Sequence, residues 1–546
     1  MKLSTTFEAN RGPTSSSYRE LRLLVSVWLL LSIGALVLAR QNVSAPGLYY
    51  DEAVFAGLAK DFVIGQHRLH TPGFEVANLL GRPFPVFVQF YLGALKSWLL
   101  MPALALFGSS VAVVRLTTLS LGLMTLLFFM LGVRRWLGLR AAIVAGAILI
   151  ADPAFFFLSI LDWGAAVTSL LCRCLAFYLA VVWWQGRKAR YLFAASFFLG
   201  LGFFNKVDIA AFAIATGIAA ICFYGSQVWP VWRARASLTA ISTLGFLVGA
   251  GPMILKIPRI VNYTSAGQGS TGPGELSEKL HTLLAMYDGS YFYRLMDAGG
   301  LFNEMFAHPA GARSLLLPIL LVAIVSLVAF VGLGRRAGQL RITGFLLLGL
   351  MLTTAGVLLM PGAVRIHHMV LAFPYPQLII TATVKFLWER EFPKTIRLGI
   401  RSLSLIAVGV LVASQLHAIF KTDELLDETG GRGRWSNAFD AFCRENKDRA
   451  DLTIISLDWG FNEQLAFLTD APKLVEPFWA FATRQVLPPL PNKPENIYLA
   501  HSGDYSLSRY DVTYLEAARS GDNAKIQPYS DRQGRVVFYS IQFPPR

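Results

Sequence analysis

Eleven apolar runs divide this chain, near residues 21–39, 112–132, 141–158, 163–184, 191–205, 208–225, 237–257, 313–332, 343–361, 368–385 and 398–417. About 20 helical residues cross a hydrocarbon core roughly 30 Å thick, so runs of this kind are candidate spans. Inside lipid a segment must satisfy its own backbone hydrogen bonds, which leaves helices or a closed barrel. The runs are continuous rather than alternating, and that excludes the barrel. Composition agrees: 54% of the 546 residues are hydrophobic and 15% charged, too apolar for a string of soluble domains. The fold class expected is a polytopic α-helical membrane protein.

Charge then orients the bundle. The formal net charge is +15, yet residues 421–546 carry 15 basic and 18 acidic side chains, so the basic excess lies wholly in the first 420. There it falls on alternate loops: Lys2, Arg11, Arg19 and Arg22 before the first run, then Arg134/Arg135/Arg140, Arg187/Lys188/Arg190, Arg233/Arg235, Arg335/Arg336/Arg341 and Lys385/Arg390/Lys394/Arg397. Basic loops stay in the cytoplasm, so all of these share one side. A nucleic-acid partner would want a basic stripe on a soluble domain instead.

That agreement requires a twelfth apolar stretch, 86–107, to stay on the outer face. Pro83, Pro85, Pro102 and Lys96 make 83–107 a helical hairpin or re-entrant segment; a twelfth span is the alternative. Residues 23–39 could pass for a signal peptide, but the repeated return to lipid favours a retained anchor. The parts are a cytoplasmic tail (1–20), a transmembrane catalytic domain (21–417) with outer loops 40–111 and 258–312, and an extracytoplasmic 418–546. In the last, Thr453–Leu457, Asn496–Ala500 and Val536–Ser540 read as strands of a small α/β domain. Cys172, Cys174, Cys222 and Cys443 offer neither a disulfide framework nor a metal pair.

Tyr50-Asp51-Glu52-Ala53 follows the first run and places two adjacent carboxylates at the outer surface. Alone they could simply suit a helix N-terminus. They have company at the same depth: Asp162, then Asn205-Lys206-Val207-Asp208, then Arg365-Ile366-His367-His368, each at an outer turn. A cap, a snorkelling cation or an interfacial histidine would explain any one of them. Arg173, in the middle of a span, must face the bundle interior and is assigned to structure. Asn42-Val43-Ser44 and Asn262-Tyr263-Thr264 match glycosylation acceptors, a pattern that also arises by chance.

These motifs, taken in order, resemble those of the GT-C membrane glycosyltransferases, in particular the protein O-mannosyltransferase and aminoarabinose transferase branch. The resemblance rests on Tyr50-Asp51-Glu52-Ala53, Arg82-Pro83-Phe84-Pro85, Phe107-Gly108, Val114-Arg115-Leu116, Pro153 before Asp162, Gly200-Leu201-Gly202-Phe203-Phe204-Asn205-Lys206, and His367-His368 before Pro374. It covers roughly residues 20–390. The sequence departs from the family in its shortened proline-rich stretch and in Asp208 after the lysine.

The resemblance implies a GT-C fold of about eleven spans with outer juxtamembrane helices and a C-terminal extracytoplasmic α/β domain. It further implies transfer of a sugar from a polyprenyl-phosphate donor to a lipid, glycan or protein acceptor, with inversion, outside a bacterial inner membrane. On that basis Asp51, Glu52 and Asp162 are the candidate catalytic residues, with Asp51 as base. Lys206, Arg365, His367 and His368 would meet the leaving phosphate. Tyr50 and Arg82 would position donor or acceptor. No cofactor is demanded; the carboxylates and histidines could hold a divalent metal, but no ligand spacing requires one. A transporter or lipid flippase, or a non-catalytic scaffold, are the competing classes.

Overall fold

The computed structural model describes residues 15–40, 42–68, 73–161, 163–265, 273–302, 304–334, 337–478, 494–507 and 524–543. In chain order the helices up to the tail are α1 (Ser15–Ala39), α2 (Tyr50–Ile64), α3 (Leu95–Phe107), α4 (Val111–Leu137), α5 (Leu139–Ala151), α6 (Pro153–Leu161), α7 (Ala166–Gly186), α8 (Ala189–Asn205), α9 (Ile209–Ala234), α10 (Ser237–Ala250), α11 (Ile257–Ser265), α12 (Pro273–Tyr287), α13 (Tyr291–Asp297), α14 (Leu316–Gly334), α15 (Ala337–Leu359), α16 (Ile366–Met369), α17 (Tyr375–Glu389) and α18 (Lys394–Thr429). Between α2 and α3 lie β1 (Glu75–Leu79), β2 (Arg82–Gln89) and β3 (Leu92–Gly93). Asp162, Arg335, Arg336 and most of the proline-rich stretch 487–494 lie outside the described residues.

The chain is an integral membrane protein of helical type. Among the described residues eight helices are long and apolar enough to cross a membrane, or nine if the bent pair α5–α6 counts as one span. Eleven runs were expected, and the difference has local causes. The expected span 141–158 is bent by 64° between α5 and α6. Pro153 cannot continue α5 but suits the first position of α6, and Asp152 Oδ1 accepts the freed Ala154 and Phe155 amides at 3.0 and 3.3 Å. The run 191–205 becomes α8, only 17 residues, and the run 313–332 becomes a shorter apolar helix, Leu316–Phe330.

Helix α8 compensates for its length by close packing against α10. A Cβ added at Gly200 would lie 2.2 Å from the Phe246 carbonyl oxygen, and one at Gly249 2.0 Å from that of Phe197. Small residues let the backbones touch, as lipid-embedded helices require.

Stretch 83–107 is not the expected helical hairpin. Its first half is β2, the middle strand of an antiparallel sheet ordered β1-β2-β3. Pro83 and Pro85 pair only with β1, because β3 joins β2 no earlier than Phe87, so no second neighbour asks them for an N–H. The second half, α3, has 13 residues, about 20 Å at 1.5 Å each, too short to span. The expectation that 86–107 does not cross fits this length.

After α18 come α19 (Ala438–Glu445), β4 (Thr453–Ser456), α20 (Asn462–Leu468), β5 (Lys473–Val475), β6 (Asn496–His501), β7 (Lys525–Ser530) and β8 (Val536–Gln542). The sheet is ordered β5-β4-β6-β8-β7. Strands β4, β5 and β6 are parallel, while β8 runs antiparallel to β6 and β7. The tail is thus the expected α/β domain; short β5 and half-exposed β7 were not legible beforehand. Its own core gathers Phe439, Phe442, Ile454, Leu465, Leu499 and Phe538.

Candidate functional site

The segment entering α2 is clamped from two sides. On the bundle side Arg115, fully buried on α4, meets both carboxylate oxygens of Glu52 at 2.9 Å. The same guanidinium donates to the carbonyls of Asn42 (3.0 Å), Pro46 (2.8 Å) and Gly47 (3.1 Å). Glu52 also accepts the Tyr49 amide at 3.3 Å, a capping-box contact that starts the helix. With both oxygens engaged by a cation, Glu52 is placed to hold the loop. Asp51, its half-buried neighbour, points elsewhere, since adjacent helical residues project about 100° apart.

On the other side the tail grips residues 47–50 one by one. The Gly47 amide donates to the Trp435 carbonyl at 2.8 Å, and Gln464 donates to the Leu48 carbonyl. The Tyr49 ring stacks on Trp435 at 4.1 Å and 3°, and Tyr50 lies 4.2 Å from Trp459. Tyr50 is pushed well above the usual tyrosine range by burial, then by the carboxylates of Glu463, Asp51 and Glu476. The Tyr49 hydroxyl is likewise raised by burial first; Asp51 raises it further, while Arg434 and Arg365 pull the other way. Asp51 and Arg365 therefore act on one common group.

The second constellation forms where α8 ends. Lys206 and Asp208 are both buried, 3.1 Å apart. His368 Nδ1 lies 3.4 Å from the lysine Nζ and 3.2 Å from the aspartate Oδ2. His367 packs against His368 with ring centroids 4.2 Å apart. Arg365 is ion-paired with Glu278 and covers the Phe302 ring at 3.8 Å. Beneath the pair, Arg173 donates to the carbonyls of Leu371 (2.9 Å) and Phe373 (2.7 Å), which fixes the backbone just after the histidines. Lys206 is held from outside as well, because the Val207 amide donates to the Tyr91 carbonyl at 3.2 Å beside a Leu92–Lys206 bridge.

Trp163 joins the two constellations. Its ring is 5.7 Å from Tyr49 on one side and 5.6 Å from His367 on the other. The structure thus brings Tyr50, Asp51, Lys206, Arg365, His367 and His368 to one end of the bundle, where the Trp163 indole packs between Tyr49 and His367. Arg82 is not among them: it donates to the carbonyls of Phe62 and Val63 at the far end of α2, about 17 Å of helix from Asp51. The positioning role expected for it has no geometric support there. Asp162 lies outside the described residues.

Other residues at this end were not singled out as site residues. Lys96, first noticed only as a charge against a span, is fully buried and 5.0 Å from the Phe55 ring, one helical turn beyond Asp51. Arg115 stood in a quoted motif without a role. For both, the signal was a charge inside an apolar run. Trp435, Trp459 and Arg434 of the tail gave none, since their importance comes from docking. Among the described residues no group of three or more His, Cys, Asp or Glu side chains is placed to hold a metal ion, and Glu52 is already committed to Arg115. No step is derived through a metal.

Residues 94–253 match a family described as dolichyl-phosphate-mannose-protein mannosyltransferase. No curated protein matches the chain. Among solved structures the chain is similar to ArnT from Cupriavidus metallidurans in the apo state, with TM-score 0.55 and 13% identity over 96% of this chain and 98% of that one. The same protein bound to undecaprenyl phosphate gives TM-score 0.54 and 15% identity at the same coverage. The Archaeoglobus fulgidus oligosaccharyltransferase in its apo form aligns with TM-score 0.48 and 13% identity over 83% of this chain and 64% of that one. The fold is that of the GT-C membrane proteins, and the resemblance carried by the motifs extends to the whole architecture. Over residues 94–253 the chain is similar to a glycosyltransferase family, and over its whole length it shares the fold of ArnT.

Proposed function

We propose that the chain moves a sugar from a polyprenyl-phosphate carrier to an acceptor hydroxyl at the end of the bundle that carries Asp51 and Lys206, outside a bacterial inner membrane. ArnT, similar in fold, has been solved with undecaprenyl phosphate bound, and the geometry here suits the same class of ligand. The observation that carries the proposal is the Trp163 ring packed against Tyr49 of the Asp51 segment on one side and on the other against His367, which adjoins His368 and Lys206, and against Phe302, which Arg365 covers.

Asp51 takes the acceptor proton as the acceptor oxygen attacks the anomeric carbon from the face opposite the phosphate. The bond from that carbon to the phosphate oxygen breaks with its electron pair, which inverts the centre and releases the lipid phosphate. Lys206, Arg365 and His368 meet the charge that develops there, and Lys96 adds a buried cation beside α2. In the resting state Asp208 and Glu278 compensate Lys206 and Arg365; an arriving phosphate competes for the same donors. Glu52 and Arg115 keep the loop in place, and Tyr50 offers the acceptor a wall. Asp162 stays a candidate from sequence alone.

Asp51→Asn keeps the shape of the side chain and removes the base. Transfer from a polyprenyl-phosphate sugar, followed by mass spectrometry of the released carrier, should fall by about 10²- to 10⁴-fold with an unchanged melting profile. Wild-type turnover in that variant would end the assignment of the base.

A further inference from the structure

The outer end of α1 faces two adjoining cavities that share Val43. The first, about 450 Å³, is lined by Ile33, Leu36 and Val37 of α1 and Leu116 of α4, and it ends at Arg40. Those four apolar side chains are 43–68% exposed on the bundle surface. From Ile33 to Arg40 the helix rises about 10 Å, so an apolar floor runs up to a guanidinium at headgroup depth. The second cavity, about 470 Å³, continues above it and is lined by Ser44, Asp440, Arg444, Arg532 and the first residues of α4.

The charge of this upper cavity is positive: Arg40, Arg444 and Arg532 border the pair of cavities against one carboxyl, Asp440. Among the described residues the side chains of Arg40 and Arg444 form no hydrogen bond or close ion pair, and Arg444 acts on Asp440, one turn earlier on α19, only through space. Arg532 spends one nitrogen on the Asp427 carbonyl at 3.0 Å. Structural arginines elsewhere at this end are saturated, as Arg115 and Arg434 are. Val111 and Ala112, the first residues of α4, border the same space.

An apolar trough in the bilayer surface, topped by three guanidinium groups against one carboxyl, matches one kind of molecule. We propose that these two cavities bind an anionic phospholipid of the leaflet at this end of the bundle, its acyl chain along Ile33, Leu36, Val37 and Leu116 and its phosphate between Arg40 and Arg444. The bound headgroup would rest on Val43 and Ser44. Their loop is the one that Arg115 grips from behind through Asn42, Pro46 and Gly47, and it leads into Asp51. The lipid therefore stands outside the transfer site but against the same loop.

The test is native mass spectrometry of the full-length protein in detergent, titrated with phosphatidylglycerol, phosphatidylcholine or glycerol 3-phosphate. Phosphatidylglycerol should be retained over phosphatidylcholine, and each of Arg40→Gln and Arg444→Gln should weaken it about five-fold, as expected for one basic residue at an anionic surface. Ser44→Trp, which fills the upper cavity from an exposed position, should act in the same direction. Arg134→Gln and Arg135→Gln, at the opposite end, should leave binding unchanged. Equal retention of both lipids, or retention of phosphatidylglycerol in the double variant Arg40→Gln/Arg444→Gln at the wild-type level, would overturn the proposal. Displacement of the lipid by glycerol 3-phosphate at equal concentration would also overturn it, by assigning the site to a free phosphate. None of these readouts needs sugar transfer, so the proposal stands or falls apart from the assignment of Asp51.

Discussion

Helix α4 carries an arginine near each end, and the two live in different chemistry. Arg115 is fully buried and gives five hydrogen bonds to Glu52 and the loop 42–47. Arg134, nineteen residues and about 28 Å of helix away, reaches Glu20 at 3.4 Å near open solvent, and its neighbour Arg135 contacts Gln185 at 3.0 Å. The same contrast extends across the bundle. At the Arg134 end, Arg187 lies 3.7 Å over the Trp184 ring. At the Arg115 end, Lys96 and Lys206 are buried beside partners, and carboxylates stand among them. Burying a charge is so unfavourable that it persists only where paired or functional. The difference therefore separates an end whose charges stay near solvent from an end whose charges are buried and partnered.

The sharpest way to break this contrast is Arg115→Met. It leaves Glu52 buried without its cation, and a lost partner of that kind costs about 3–5 kcal/mol. Thermal unfolding should show a severely destabilised protein, largely recovered by the double variant Glu52→Gln/Arg115→Met; an unchanged melting temperature in the single variant would erase the distinction between the ends. Lys206→Ala should act on catalysis more than on folding. The KM for the lipid-linked donor should rise by about 10- to 100-fold, the scale of one lost charge-assisted contact, measured by initial rates against donor concentration.

The tail tests the contrast in a soluble setting. Burial and Arg434 push the His501 imidazole down to about 4, against the pull of Asp458 at 2.8 Å. Unfolded, this histidine takes its proton near 6.5, so between pH 4 and 6.5 the unfolded state binds more protons. Stability should then rise with pH across that window by at most about 1.4 kcal/mol per unit and level off above it. The difference between wild type and His501→Gln, followed by denaturant unfolding at several pH values, should show that slope; parallel curves would remove His501 from the account. Smallest of all, Arg134→Ala should shift stability by no more than about 0.5 kcal/mol and leave transfer unaltered.

Much of this was legible in the sequence because lipid is an unforgiving solvent. The spans, the α/β tail and the common side of Lys206, Arg365 and His368 follow from apolar length, strand-like runs and alternation of basic loops. Arg173 reads correctly as an interior structural group for the same reason. Legibility ends where meaning depends on partners far along the chain. Glu52 and Asp51 look equivalent until Arg115, 63 residues later, takes both oxygens of one. Arg82 sits in a motif beside the site in sequence and at the wrong end of α2 in space. The prolines of 83–85 announce that a helix cannot form, but not that a strand will.

The sequence by itself determined that this chain lies in a membrane, which way its charges sort, and which residue types collect at one face, since transfer free energy acts on each segment alone. Only the tertiary structure decided which carboxylate is committed to holding the loop, that Trp435 and Trp459 of a domain more than 380 residues away clasp Tyr49 and Tyr50, and that Trp163 stands between that loop and the histidines. Those outcomes depend on pairwise distances, and a distance between remote residues is set by packing.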